Sequence, residues 1–394
     1  MLNQKIKQQA KEVFDEVLAF RRHLHAHPEL SFHEHETSAF VAAQLNAWNI
    51  PFEKMADTGI VAIIKGDKPS DKVIALRADM DALPIHEAND IAYKSVNKGV
   101  MHACGHDVHT ASLLGTTKIL NQLKSVFSGT IKLIFQPAEE RLPGGASLMI
   151  KDGVLDNPKP SAIFGQHVMP LIEVGKVGFR SGKYMASTDE IYVTVKGKGG
   201  HGAQPQQNID PVVIAAHIII ALQQIVSRVA DPKIPSVLSL GKVIANGATN
   251  VIPDEVLMEG TFRTFDEDWR AIAHEKMKKM AEGIADSMGG VCEFNIVRGY
   301  PFLVNEPLLT QRARAYAEEF LGVENVVDLD MWLAGEDFAY YSQVADACFY
   351  RLGTRNEALG ITSPVHTPTF NIDEDALKIS SGLMTYLALK ELGN

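Results

Sequence analysis

The chain has 394 residues, 46% hydrophobic and 22% charged, and its 38 Lys and Arg against 48 Asp and Glu leave a net charge of −10. At ~100–200 residues per domain, that length suggests two or three domains with ample buried core. The acidic balance argues against nucleic-acid or anionic-membrane partners. No uninterrupted apolar run reaches the ~18–20 residues of a membrane span; the longest, around Val212–Leu222, carries a His. The N-terminus is a charged amphipathic stretch rather than a signal peptide. Three cysteines, Cys104, Cys292 and Cys348, disfavour a disulfide framework and favour a reducing compartment, so a cytoplasmic location is expected.

In chain order, apolar residues at helical spacing (Ile6, Val13, Phe14, Val17, Leu18) predict a helix through about Leu24, stopped by Pro28. Its His23, His25, His27 alternation resembles a row of ligands, but helical geometry puts His23 and His27 on one face and His25 away, a structural reading. A second helix follows over 36–48. Ile60–Ile64 and Val73–Leu76, separated by the polar GDKPSDK, predict strands. The pattern continues with a helix over 110–123, a strand over 130–135, a helix over 146–150 and a strand over 162–165. Strands alternating with helices imply an α/β fold with a parallel or mixed sheet. Near Arg180 the rhythm changes. Strands over 190–195, 237–243, 256–262 and 291–297 and helices over 211–228 and 267–287 predict a ferredoxin-like α+β unit, its first helix opened by Asp210 as N-cap and Pro211 behind it. The expected organisation is a discontinuous α/β domain, residues 1–180 and 298–394, with an inserted domain over 181–297. A last helix runs over 373–392.

Chemistry-bearing residues collect where strands should end. MHACGHDVHT places Cys104 and His106 around Gly105, a thiol and an imidazole suited to a divalent ion. FQPAEE puts Glu139 and Glu140 side by side. Neighbouring side chains point apart, so one can bind a metal while the other faces its water. IFGQHVMP sets His167 directly after a strand, and RADMDALP adds Asp79 and Asp81; later in the chain, apart from these four strand ends, SPVHTPTF offers His366 as a further ligand. Each alone reads more simply as a cap, a solvated acid or a core histidine. Four such strand ends on one sheet favour a metal centre, because buried acids and imidazoles facing one another without a cation are costly. Gly197–Gly202 fits G-x-G-x-x-G, but no helix is expected at Gly202 and no acidic strand end follows, so a dinucleotide site is disfavoured.

RRHLHAHPELSFHEHET, RADMDALPI, MHACGHDVHTA, FQPAEE, FGQHV, GKGGHGAQP, ATNVIPDEVLMEGTFRTFD, AGEDFAYY and VHTPTFNID resemble successive blocks of one family. It is the dinuclear-metal amidohydrolases and peptidases, which include hippurate hydrolase, N-acyl-amino-acid amidohydrolases, N-acetyl-diaminopimelate deacetylase and plant auxin-conjugate hydrolases. The resemblance is collinear over almost the whole chain. It implies a zinc-peptidase-like α/β/α sandwich carrying an inserted ferredoxin-like lid and dimerisation domain. It also implies two divalent ions per subunit, Zn²⁺ foremost, with Mn²⁺, Co²⁺ or Ni²⁺ acceptable. By position, Cys104, His106, Glu140, His167 and His366 match the metal ligands and Glu139 the general base. His201 matches a lid histidine that reaches the partner subunit's site, Asn250 and Arg263 match substrate contacts, and Asp81 matches an acid that orients ligands. The implied reaction is hydrolysis of the amide of a small N-acyl amino acid by metal-activated water, in a homodimer or tetramer. A metallo-carboxypeptidase or dipeptidase is the alternative. A catalytically silent scaffold or a structural metal protein would not need Glu139 beside the ligands.

Overall fold

The structure, a computed structural model, describes residues 2–393. The central strands of the larger sheet are nearly continuous runs of buried residues: eight of nine residues in Ser128–Gln136, eight of nine in Ala347–Arg355, and the last seven of Lys68–Asp79. Such runs suit strands covered on both faces. They assemble an eight-stranded mixed sheet in the order Phe52–Met55, Gly59–Lys65, Ser128–Gln136, Lys68–Asp79, Ala162–Glu173, Ala347–Arg355, Val177–Phe179, Val326–Asp328. The four central strands run parallel, so their carboxyl ends lie on one side, where open α/β sheets hold ligands.

Two compact units partition the described chain: residues 2–184, 304–330 and 337–393 form the first, and residues 185–303 and 331–336 the second. In the first, the almost wholly buried helix His106–Gln122 packs against Phe14–Ala26 and against the C-terminal helix Ala376–Glu391. The second holds a four-stranded antiparallel sheet, in the order Ser236–Ile244, Glu255–Thr264, Asp189–Lys196, Val291–Arg298. Helices Pro211–Gln224 and Glu267–Ser287 pack on it around Ile191, Val193, Ile218, Met258 and Ala273. Asp210 caps the first of these helices by accepting from the Val212 and Val213 N–H groups at 2.9 and 3.3 Å.

Several local expectations need correction. The first helix is two, Leu2–Glu12 and Phe14–Ala26, divided at Val13. The polar GDKPSDK separates the two strands only at Gly66 and Asp67, because Lys68–Asp79 begins inside it and pairs with Ser128 before a register shift. The helix after the CGHD block starts at His106 rather than Thr110. Ala162–Glu173 extends well past Gly165, so His167 lies within the strand rather than after it. The terminal helix is shorter, Ala376–Glu391. Pro211–Val229, whose last turn widens to a π-helix at Ile225–Val229, is long and apolar enough to cross a membrane by length and composition, contrary to the reading from uninterrupted runs. Its Ile214, Ile218, Leu222 and Ile225 form a buried stripe on the second unit's sheet, while Val213 and Ile220 are exposed.

Candidate metal centre

Gly105 creates the ligand turn. It sits at φ +86°, and a Cβ there would lie 2.6 Å from Val168 Cγ2, so only glycine fits. The chain enters helix His106–Gln122 directly from this left-handed residue, leaving Cys104 and His106 on either side of it. The two acids are set by Asp81, whose carboxylate accepts the Glu139 and Glu140 N–H groups at 3.0 Å each and the Ser31 hydroxyl at 2.6 Å.

The same acid settles the state of a histidine. His106 Nδ1 faces the Asp81 main-chain oxygen at 2.9 Å and its Oδ1 at 3.1 Å, both acceptors, so Nδ1 carries a proton and Nε2 is the nitrogen left to face the other donors. His167 Nδ1 likewise donates to the Val168 carbonyl at 2.8 Å, leaving Nε2 to face Cys104 Sγ at 3.3 Å. His366 Nε2 stands 3.3 Å from the same sulfur and 3.2 Å from Glu140 Oε1. His106 Nε2 is 4.0 Å from that oxygen. Donor atoms of Cys104, His106 and His167 lie within 4.8 Å of one another, as do those of Cys104, Glu140 and His366, and those of His106, Glu139 and Glu140.

The donor set fits metal. Donors sharing one tetrahedral ion stand about 3.5 Å apart, given ~2.0–2.3 Å bonds, which is the spacing around Cys104 Sγ. Buried His106 Nε2 and Glu140 Oε1 have no hydrogen-bond partner among the described residues. Burial by itself would lower the His106 imidazolium, yet the Asp79, Asp81 and Glu140 charges outweigh it and push its pKa up to about 10. Burial, then the Glu140, Glu139 and Asp79 carboxylates, drive the Cys104 thiol well above its usual range. A pocket of this kind holds protons that a cation displaces.

The sequence profile described as peptidase family M20/M25/M40 matches residues 75–390. The chain belongs to this family. It is 45% identical over 306 residues to an N-acyl-L-amino acid amidohydrolase of Geobacillus stearothermophilus, covering 77% of this chain and 82% of that one. It is 40% identical to thermostable carboxypeptidase 2 of Saccharolobus solfataricus, over 99% and 98% of the two chains. The crystal structure of a dinuclear metal-binding M20 peptidase from Bacillus subtilis superposes with a TM-score of 0.83 at 38% identity, covering 97% of this chain and 99% of that one.

In this M20/M25/M40 chain the matched span includes Cys104, His106, Glu139, Glu140, His167 and His366, all of which the fold gathers in the first unit. Glu139 is buried, with Oε1 3.4 Å from the Asp337 N–H. His201 and Asn250 lie together in the second unit: Val251 pairs with His201, and Gly202 N–H donates to the Asn250 carbonyl at 2.8 Å. Arg263 is anchored on that unit's sheet, Nη1 donating to the Asp189 main-chain oxygen at 3.3 Å.

Other buried polar groups beside the centre are engaged with one another. His109 is saturated: Nε2 accepts the Val168 N–H at 3.0 Å, so Nδ1 carries the proton and donates to Asp79 at 2.5 Å. Arg77 joins Asp79 to Asp337 at 2.6 and 2.7 Å. His25, rightly excluded from the row of ligands, is buried between Asp107 and Glu87 at 2.8 and 3.0 Å. The Asp107 carboxylate also accepts from Arg21 at 2.9 Å, which ties the helix that begins at His106 to Phe14–Ala26. His109 and Arg77 take no role from the sequence; their only signal there is polar residues inside otherwise apolar segments.

Proposed function

We propose that the protein is a metal-dependent amidohydrolase that removes the acyl group from N-acyl amino acids, with Cys104, His106, Glu140, His167 and His366 holding two divalent ions and Glu139 as general base. The observation that carries this reading is the convergence of five donor side chains, His106, His167 and His366 around Cys104 and Glu140, with Glu139 beside them. A closed structural zinc site has four Cys or His ligands and no adjacent base. The bound ions, Zn²⁺ or alternatively Mn²⁺, Co²⁺ or Ni²⁺, supply Lewis acidity and make water acidic enough to lose a proton near neutral pH. Glu139 takes the proton of the attacking water and returns it to the leaving nitrogen. Asp81 keeps the His106 lone pair on Nε2 and holds both acids by their main chain. His201 donates to the carbonyl oxygen as its charge grows, and Asn250 and Arg263 bind the substrate's carboxylate end.

In this reading the second unit is a lid and dimerisation domain of a cytoplasmic homodimer. Exposed Val213 and Ile220 on helix Pro211–Gln224 and exposed Val291 on an edge strand support that role. Mixing inactive Glu139→Gln and His201→Ala subunits should restore partial activity if His201 serves the other subunit. No recovery despite confirmed subunit exchange would remove that role.

The carboxypeptidase relative at 40% identity over 99% of the chain favours a second reading, cleavage of short peptides by the same chemistry. Comparison of kcat/KM for N-acetyl-amino acids, hippurate and dipeptides on metal-loaded enzyme separates the two. The first reading predicts the highest values for N-acyl amino acids. Preference for dipeptides would establish the second, and fully loaded protein inert on the whole panel would overturn both.

A further inference from the structure

Ala138, immediately before the two acids, has φ +50° and is completely buried. An L-residue pays a steric penalty in this region because Cβ crowds the backbone. The surroundings must therefore enforce the turn, and the contacts that do so are on both sides of the residue. Its N–H donates to Glu34 Oε1 at 2.8 Å, and its carbonyl accepts the Gly145 N–H at 2.9 Å. Gly145 is itself constrained, since a Cβ there would lie 1.8 Å from the Pro137 oxygen.

Glu34 is fully buried and comes from a distant segment, 104 residues upstream. It occupies the N-cap position of helix His35–Ala47, yet its side chain makes no capping bond to that helix. Its carboxylate instead accepts three hydrogen bonds, from Phe32 N–H at 3.0 Å, Ala138 N–H at 2.8 Å and the Thr58 hydroxyl at 2.8 Å. Helix capping therefore does not explain a buried acid here, whereas the turn at Ala138 does. With Ala138 left-handed, the next two N–H groups both point at Asp81 and the side chains of Glu139 and Glu140 enter the ligand cluster.

We propose that Glu34 is a positioning residue: it holds the Ala138 turn in its left-handed form and thereby aims Glu139 and Glu140 into the metal centre. The inference rests on the reading of Glu139 as base and Glu140 as ligand. Without the Glu34 carboxylate, Ala138 relaxes toward negative φ and both acids swing out of register together. Loss of Glu34 should accordingly lower turnover and metal affinity in step, a pairing that simple loss of substrate contacts would not give.

The test uses the full-length protein and two readouts, kcat and KM on an N-acetyl-amino acid, and metal affinity by competition of Zn²⁺ against a chromophoric chelator. Glu34→Ala should lower kcat about 100-fold, as a misplacement of ~1 Å does, with KM changed less than about threefold. Zinc affinity should weaken about 10- to 100-fold, as for other outer partners of ligands. Adding Ala138→Gly to Glu34→Ala should restore kcat about tenfold and recover metal affinity, because glycine adopts positive φ without the Cβ penalty. Glu34→Gln keeps an acceptor for the Ala138 N–H and should retain at least about ten times the kcat of Glu34→Ala. If Glu34→Ala does not fold, Thr58→Val removes one donor to Glu34 and should lower kcat about threefold, with the same rescue by Ala138→Gly. Wild-type kcat and zinc affinity in Glu34→Ala, or a folded variant that Ala138→Gly does not rescue, would overturn the assignment. Glu139→Gln measured alongside separates the failures. If it is inactive while Glu34→Ala is normal, only this inference falls; if it is fully active, the base assignment falls first.

Discussion

Each unit of the molecule buries a knot of charged groups, and the two knots are finished differently. In the second unit, Asp189 accepts from Arg270 Nε and Nη2 at 2.9 and 2.7 Å and from His274 Nε2 at 2.8 Å. Arg270 completes its donors on the Thr188 and Gly299 carbonyls and on Glu267. In the first unit, His106 and His167 are hydrogen-bonded only on their outer nitrogens, by Asp81 and the Val168 carbonyl. Their inner nitrogens face a sulfur and a carboxylate, and His106 Nε2 and Glu140 Oε1 have no hydrogen-bond partner among the described residues. Buried charge whose donors and acceptors close on one another holds a fold together. Buried donor atoms that converge on one point need protons or a metal ion between them.

That contrast is open to direct attack. Removal of metal by a chelator should reduce activity to background and lower the melting temperature. Restoring one equivalent and then two should return both, as followed by calorimetry and elemental analysis, whereas the Asp189 knot should be indifferent to the chelator. Glu139→Gln should lower kcat by about 10³-fold, within the range of general acid–base catalysis, and keep its metal. Loss of metal from that variant would make Glu139 a ligand instead. Cys104→Ala should bind less than the wild-type stoichiometry, because its sulfur lies in two of the donor groups. Asp189→Ala should cost about 3 kcal/mol of stability in urea unfolding, since it strands buried Arg270, and leave metal content unchanged.

The smallest effect is on pH dependence. Burial would raise the Asp189 carboxyl, but His274 and Arg270 outweigh it and hold it below its ordinary 3.8. Its contribution is thus fully present above pH ~3.8 and lost as pH falls through the lower folded value. Urea midpoints of Asp189→Asn measured from pH 5 to pH 2 should fall less steeply than those of the wild type. Parallel slopes would remove Asp189 from the acid-sensitive set.

Local features were legible wherever neighbours in sequence dictate the geometry. Asp210 followed by Pro211 announced a helix start because an N-cap bonds residues two and three positions ahead. The central strands announced themselves by apolar, β-branched runs. The ligand blocks stood out because chemistry-bearing residues sat at the ends of those runs. The start of the helix at His106 was missed because its first turns are buried on all sides, which erases the periodic pattern that marks an amphipathic helix. The apolar character of Pro211–Val229 was underestimated because its polar residues interrupt the run without lowering the average enough.

From composition, periodicity and short motifs alone came the α/β class, most helices and strands, and a set of candidate metal-binding side chains, within which the family resemblance implied the ligands and the base. Only tertiary structure decided that His366 meets Cys104 across 262 residues, that Glu34 reaches Ala138 across 104, and that His109 and His25 are already engaged. The reason is one of range. Helix and strand preference is set by backbone sterics and side chains a few positions apart, whereas a lone pair is free or bonded according to strand register and helix packing, which many distant residues settle together.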